Sequence, residues 1–328
     1  MQQHLGKIAG AFAGLLIIGY IIAVYWSSEP APFDVVEKAK QTATQENVTL
    51  VPGYVTTTAL IEVSETLLNK PGGYLSNDKM PPSVLMDNMP AWEYGALEMV
   101  RDLALSMRKD LSRSQSQSTE HPALKIAQPQ FNISSTAWIW PSAEGEYQKG
   151  IEQLKIYRSQ IANTQDRESQ FYSRADNLRG WLKEAEKRLG SLSQRLSASV
   201  GQDRVNTDLA GDSAANQATR APSHHVVKTS WWKIDDVFYE SRGATWALLH
   251  FLKAVEHDFA DVLDKKNAKV SLQQIIRELE ATQETVWSPM ILNGSGFGFV
   301  ANHSLVMANY ISRANAALIE LSELLAQG

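Results

Sequence analysis

From Ile8 to Trp26 the chain reads IAGAFAGLLIIGYIIAVYW, 19 residues without a charge or a polar face. A helix of roughly 20 residues, rising about 1.5 Å per residue, spans the hydrocarbon core of a bilayer. The pattern predicts residues 1–7 as a cytoplasmic tail, 8–26 as a transmembrane anchor, 27–54 as a linker and 55–328 as an exported domain. Lys7 precedes the span, and Glu29 and Asp34 are the first charges after it. That asymmetry favours a cytoplasmic N-terminus, with Tyr25 and Trp26 at the outer headgroup level. A cleaved signal peptide is the competing reading, but its apolar stretch is usually only about 7 to 15 residues. In this chain prolines also occupy the segment SSEPAPF, where cleavage would fall.

Beyond the span, apolar positions recur with helical period. Leu60, Val63 and Leu67 predict a helix over 55–70 that ends at Pro71, Gly72 and Gly73. The stretch to Trp92 is broken by turn formers and reads as an ordered loop. A second helix runs from near Pro90, a residue suited to a first turn, to about Arg113. Phe171, Ala175, Leu178, Leu182, Ala185, Leu189, Leu192 and Leu196 are spaced 4, 3, 4, 3, 4, 3, 4, and Leu154, Tyr157 and Ile161 keep that phase upstream. This is a heptad seam. As one helix, the 46 residues from Leu154 to Ser199 would make a rod roughly 70 Å long. Thr164 and Glu168 fall on the seam and mark where it would kink.

Leu248, Leu252, Val255, Phe259 and Val262 repeat the spacing in a helix from Ile234 to about Asp264. The two rods would form an antiparallel coiled-coil hairpin over about 142–264, with the Gly-, Ala- and Ser-rich segment 201–230 as its flexible tip. Ser271 is an expected N-cap for the next helix, and Asn302 or Ser304 for the last. Only VTLV, before Pro52, hints at a strand. The expected fold class is all-α, a transmembrane helix followed by an elongated helical bundle.

Composition narrows function by exclusion. The 328 residues carry 31 basic and 36 acidic side chains, a formal net charge of −5, without a Lys/Arg-rich block. No clustered basic surface is available for phosphates, so nucleic acid is not an expected partner. The absence of cysteine removes thiol nucleophiles and cysteine-based metal sites. His250 and His257 lie seven residues apart on one predicted helix, too far along its axis to share an ion, and no HExxH is present. No metal or cofactor is expected. Asp235, Asp236 and Glu240 at a helix start complement its dipole.

The loop NGSGFGF from Asn293 to Phe299 precedes a helix, as an anion-binding loop would. It lacks the lysine of a P-loop, and Asn293 and Phe297 flank Ser295 where a nucleophile elbow needs glycine. Trp231 and Trp232, directly after the flexible tract, are the best contact-surface candidates among the tryptophans.

Several segments together carry a family resemblance: PGGYLSNDKMPPSVLMDNMPAWEYGAL (71–97), RKDLSRSQSQS (108–118), LGSLSQRLSASVG (189–201), KIDDVFYE (233–240) and SPMILNGSGFGFVANHSLVMANYISRAN (288–315). The chain resembles the bacterial membrane-anchored family known as domain of unknown function 2333, over nearly its whole length. The resemblance implies a Gram-negative inner-membrane setting and brings no catalytic residues with it.

Two functional expectations follow. The first is a non-enzymatic envelope scaffold that binds an envelope protein partner or itself through its helices. The alternative is an envelope enzyme or small-ligand receptor, with Tyr74, Ser76, Asn77 and Asp78 facing Asn293, Ser295, Asn302 and His303 across a pocket.

Overall fold

The computed structural model describes residues 2–115, 117–163, 169–205 and 224–327. Helix α1 spans Gln2–Trp26, and Gly6–Trp26 has a mean hydropathy of 2.2 with no residue of its apolar window buried, while Trp26 at its end packs partly against the core. The segment expected to link it to the domain carries a helix of its own, α2 (Val35–Glu46). Asp34 caps α2, its carboxylate accepting the amides of Val36 and Glu37 at 3.0 Å. This satisfies two of the donors that a helix N-terminus leaves open.

The core is built on α3 (Tyr54–Asn69), α4 (Asn88–Ser106) and α8 (Ile234–Asp258). Helices α4 and α8 cross where each carries glycine. A Cβ on Gly95 would stand 1.9 Å from the Glu240 carbonyl oxygen, and one on Gly243 would stand 1.9 Å from that of Trp92. Glycine here lets two backbones touch. The two helices run parallel. Beyond α4, a single π turn (Met107–Leu111) brings the Leu111 carbonyl to the Tyr172 amide, and the neighbouring Phe171 packs edge-on against Phe259 just past α8. Helix α3 runs the opposite way, with Lys70 beside Glu93 at one end of the bundle and Thr56 bound to Asp258 at the other.

Around this centre, α5 (Pro122–Phe131) pairs with α6 (Ala143–Ala162). Helix α7 (Ala175–Ser197) lies chiefly along α11 (His303–Ala326), with Ser193 against Ser312. The short α9 (Ala260–Lys265) leads into α10 (Lys269–Ala281), which covers α11 and α8. A two-stranded antiparallel ribbon, β1 (Gln202–Val205) with β2 (His224–Val227), is the sheet seen among the described residues.

Four sequence expectations need correction. The single rod from Leu154 to Ser199 is two helices, α6 ending at Ala162 and α7 beginning at Ala175, and residues 169–174 meet the body. There Asn177 donates to the Tyr172 carbonyl, Tyr172 to Leu111, and Phe171 leaves the seam for Phe259. Thr164 and Glu168, where the kink was expected, lie outside the described residues. The seam therefore serves different partners, α6 packing on α5 and α3 while α7 packs on α11 and α4. An antiparallel α7–α8 hairpin is not the organising contact, since the main neighbour of α8 is α4. The helix expected to reach Asp264 breaks at Phe259, whose backbone leaves the helical region.

Smaller differences have local causes. Helix α10 begins at Lys269, two residues before Ser271, with Ala268 at the cap. Helix α5, unread from its short sequence, starts on Pro122 after His121, whose ring accepts the Ala123 amide. VTLV at 48–51 is irregular, and no strand among the described residues pairs with it. Asn302 caps α11 as expected, accepting the Leu305 amide at 2.8 Å. Most of the segment 201–230, residues 206–223, lies outside the described residues.

Candidate functional site

The loop after α3 is organised by Glu93, a fully buried carboxylate on α4. Lys70 Nζ approaches it at 2.6 Å, the amides of Leu75 and Ser76 donate at 2.8 Å, and Ser76 Oγ donates at 2.5 Å. Burial raises the carboxyl's pKa, and Lys70 and the Ser76 and Leu75 donors pull it back. Lys70 also donates to the Gly73 carbonyl, where Gly72 and Gly73 hold positive φ. Asn77 donates to the Ala137 carbonyl and the Glu144 carboxylate at 2.8 and 2.7 Å. Tyr74 is buried edge-on against Tyr147. Three of the predicted ligand residues, Tyr74, Ser76 and Asn77, thus hold the loop together. Asp78 is half-buried and closes a turn through its amide onto Leu75.

The second predicted loop is a tight hairpin. Asn293 and Asn302 form an antiparallel bridge, the Gly294 amide donates to Ala301, and Asn302 Nδ2 donates back to Gly294. A Cβ on Gly294 would stand 2.1 Å from the Val300 carbonyl oxygen, and Gly296 has φ +86°. These glycines are required by the turn itself. Ser295 is exposed at its tip. His303 Nδ1 accepts the Leu292 amide at 3.1 Å, which leaves its proton on Nε2.

The two loops sit at the same end of the bundle, and neither of the cavities described below is lined by both of them. No hydrogen bond or ring contact joins 72–78 to 293–303 among the described residues. They flank the exit of α1 instead. Gly72 lies against the Trp26 indole, while Arg242, beside the segment leading to residue 293, pairs with Glu29.

His303 lines a cavity of about 260 Å³ with Phe238, Arg242, Thr282, Trp287 and Tyr310. The Arg242 guanidinium is fully engaged, binding Glu29 at 2.7–3.0 Å and the carbonyls of Thr282 and Glu284 at 3.0 and 2.8 Å. A larger groove of about 540 Å³ lies between α4, α7 and α8. Its charges are paired: Arg188 with Glu98 and Asp102, Arg195 with Glu240. These carboxylates hold both guanidinium pKa values above their ordinary range. Nothing in the local sequence marks this groove, because its partners come from three distant helices.

His121 and Ser169 meet at 2.9 Å, as a base and a nucleophile would. His121 Nδ1 already accepts the Ala123 amide, so Nε2 carries the proton and donates to the hydroxyl. A histidine in that tautomer cannot take the serine proton. His250 is buried and bound to Trp246 and Phe33, while His257 pairs with Asp258. Among the described residues no three His, Asp or Glu side chains converge as metal ligands.

No curated protein and no solved structure matches the chain. A family does match, across residues 1–328. The chain belongs to the bacterial family described as uncharacterized protein conserved in bacteria (DUF2333).

Proposed function

We propose that this protein is a single-pass inner-membrane protein whose helical domain lies in the periplasm, where it serves as a scaffold or partner-binding component of the cell envelope. The observation that carries the reading is the pairing of an apolar helix, no residue of whose span is buried, with a tightly built junction. From Ile8 to Trp26 α1 is apolar on every face; such a helix is either buried in a large core or spans a membrane, and no residue of its apolar window is buried in the protein. Immediately after it, Trp26 lies on Gly72 and Glu29 pairs with Arg242. A segment destined for removal has no need of such a fitted attachment. Most polar side chains of the two candidate loops are used in caps, turns and ion pairs, which suits binding through surfaces better than turnover in a pocket.

The test is extraction and topology in cells of the source bacterium. The full chain is expected to stay in the membrane pellet after alkaline carbonate and to enter detergent. A C-terminal alkaline phosphatase fusion is expected to be active. Release of a shortened soluble chain would overturn the anchor. Chemical crosslinking in membranes is expected to capture a reproducible protein neighbour or a second copy, and repeated failure to do so would overturn the scaffold role.

A further inference from the structure

The end of the bundle from which α1 departs differs from the opposite end in its surface chemistry. Trp26 touches Gly72, and three residues later Glu29 is held by Arg242. Three residues reach about 10 Å at most, so the surface bearing Gly72 and Arg242 lies within that distance of the span's last residue. The headgroup layer of one leaflet is itself roughly 5–8 Å deep. Loops projecting from this surface therefore enter it if α1 crosses the bilayer.

Four segments project there, each placed by a contact already described or by the helix it feeds. Residues 71–86 follow Gly72, and 133–141 are tied to them by the Asn77–Ala137 hydrogen bond. Residues 228–233 feed directly into α8, and 284–300 leave the Glu284 carbonyl bound to Arg242. Their tips carry Leu85, Trp140, Trp232, Trp287, Phe297 and Phe299, all exposed by 80% or more. At the opposite end, where Phe171 packs on Phe259, the connecting segments 47–53, 112–121 and 266–268 expose no aromatic side chain among the described residues, and the exposed large apolar residue beside them is the aliphatic Val270 in the first turn of α10. Exposed aromatic groups confined to one end need an apolar neighbour. Indole rings, with an apolar body and one N–H donor, suit the headgroup boundary. Nearby charges have both signs, with Lys79 and Lys233 beside Asp87 and Asp235, so attraction to anionic lipid is not the driving force.

We propose that this end of the bundle is a lipid-contact face, its four loops seated in the headgroup region of the leaflet that α1 leaves. The domain then stands on the membrane by an aromatic rim and presents its opposite, polar end to the periplasm. This rests on the reading of α1 as a span.

The chain has no cysteine, so single spin labels can be placed in the full-length protein without background. Labels at Phe297→Cys and Trp140→Cys report the face, at Ile17→Cys the span, and at Lys265→Cys the opposite end. The protein is reconstituted in phosphatidylcholine vesicles with and without phosphatidylglycerol, and collision with oxygen and with a water-soluble nickel chelate is measured. Expected is a several-fold higher oxygen-to-nickel ratio at 297 and 140 than at 265, in both lipid mixtures. Nickel access at 297 and 140 equal to that at 265, with position 17 shielded, would overturn the lipid face and leave the anchor standing. Shielding of 297 and 140 from both reagents would mean a protein cover and overturn it as well. Shielding that requires phosphatidylglycerol would overturn aromatic insertion as its basis. Free nickel access at position 17 would remove the span and the proposal with it.

Discussion

His250 Nε2 accepts the backbone N–H of Phe33 at 3.0 Å, fastening the strap between α1 and α2 to the middle of α8. The other ring nitrogen donates to the Trp246 carbonyl at 2.7 Å, and the Phe33 ring stacks on the imidazole at 4.0 Å. A second ring proton would point at the Phe33 N–H, and burial lowers the histidine pKa to about 4.

Stability should therefore depend on pH through this residue. A base whose pKa falls on folding is neutral in the folded state, so its contribution is full above about pH 6.5 and lost as pH drops through 4. The expected slope is about 1.4 kcal/mol per pH unit within that window. His257, raised by Asp258, has the opposite sign, so the measurement compares wild type with His250→Gln. Denaturant unfolding between pH 7.5 and 4.5 should show a shallower loss in the variant, and equal curves would refute the assignment.

Removing Glu93 should be among the most damaging single changes in the domain. Glu93→Ala leaves the Lys70 ammonium buried without a counter-charge and orphans the Leu75 and Ser76 amides. Breaking a buried pair from one side costs roughly 3–5 kcal/mol. Glu93→Gln, which keeps an acceptor for the amides, should cost less. Chemical denaturation ranks the two, and the reverse order would contradict the role given to the carboxylate.

The α4–α8 crossing has its own signature. Gly95→Ala and Gly243→Ala each place a methyl group 1.9 Å from a backbone oxygen. Each should destabilise by about 1–3 kcal/mol, outweighing the gain of about 1 kcal/mol in helix propensity. Gly180 in α7 has open space around it, so Gly180→Ala should stabilise by about 0.5–1 kcal/mol. Thermal melts of the three variants check the contrast.

Cutting the Glu29–Arg242 tie should loosen the strap without unfolding the bundle. Arg242→Met removes the donors to Glu29, Thr282 and Glu284. Amide hydrogen exchange should rise in residues 28–34 and 282–287 while α3 stays protected. Unchanged exchange in those two segments would show that the ion pair does not hold them.

How far the sequence carries can be judged from particular elements. The apolar run to Trp26 marks the span Gly6–Trp26 within two residues, though α1 itself starts earlier, at Gln2, and the period through Leu60, Val63 and Leu67 marks α3 within one. The Asn302 cap is equally legible, since a cap is a local hydrogen bond. The loop residues 74–78 and 293–303 stood out because they are rich in Gly, Asn and Ser. The same residue types build tight turns, and here most of them are used in holding their own loops. Glu93, which organises the first loop, and Arg242, which ties residues 282–284 to Glu29, had no local signal: each lies within a helix, and its partners are far away in sequence.

Alone, the sequence determined which faces are apolar and where turns and caps fall, because those depend on neighbours within a few residues. It did not determine what each apolar face meets. The heptad seam through Leu189 and Leu196 would serve a coiled-coil arm or a packed bundle equally well, since burial is non-directional. The tertiary structure decided for the bundle, turning the chain at Phe171, crossing α4 over α8 at Gly95 and Gly243, and gathering Trp232, Trp287 and Phe299 at the end where α1 departs. Those choices rest on shape and distance between segments as much as two hundred residues apart, which no local pattern encodes.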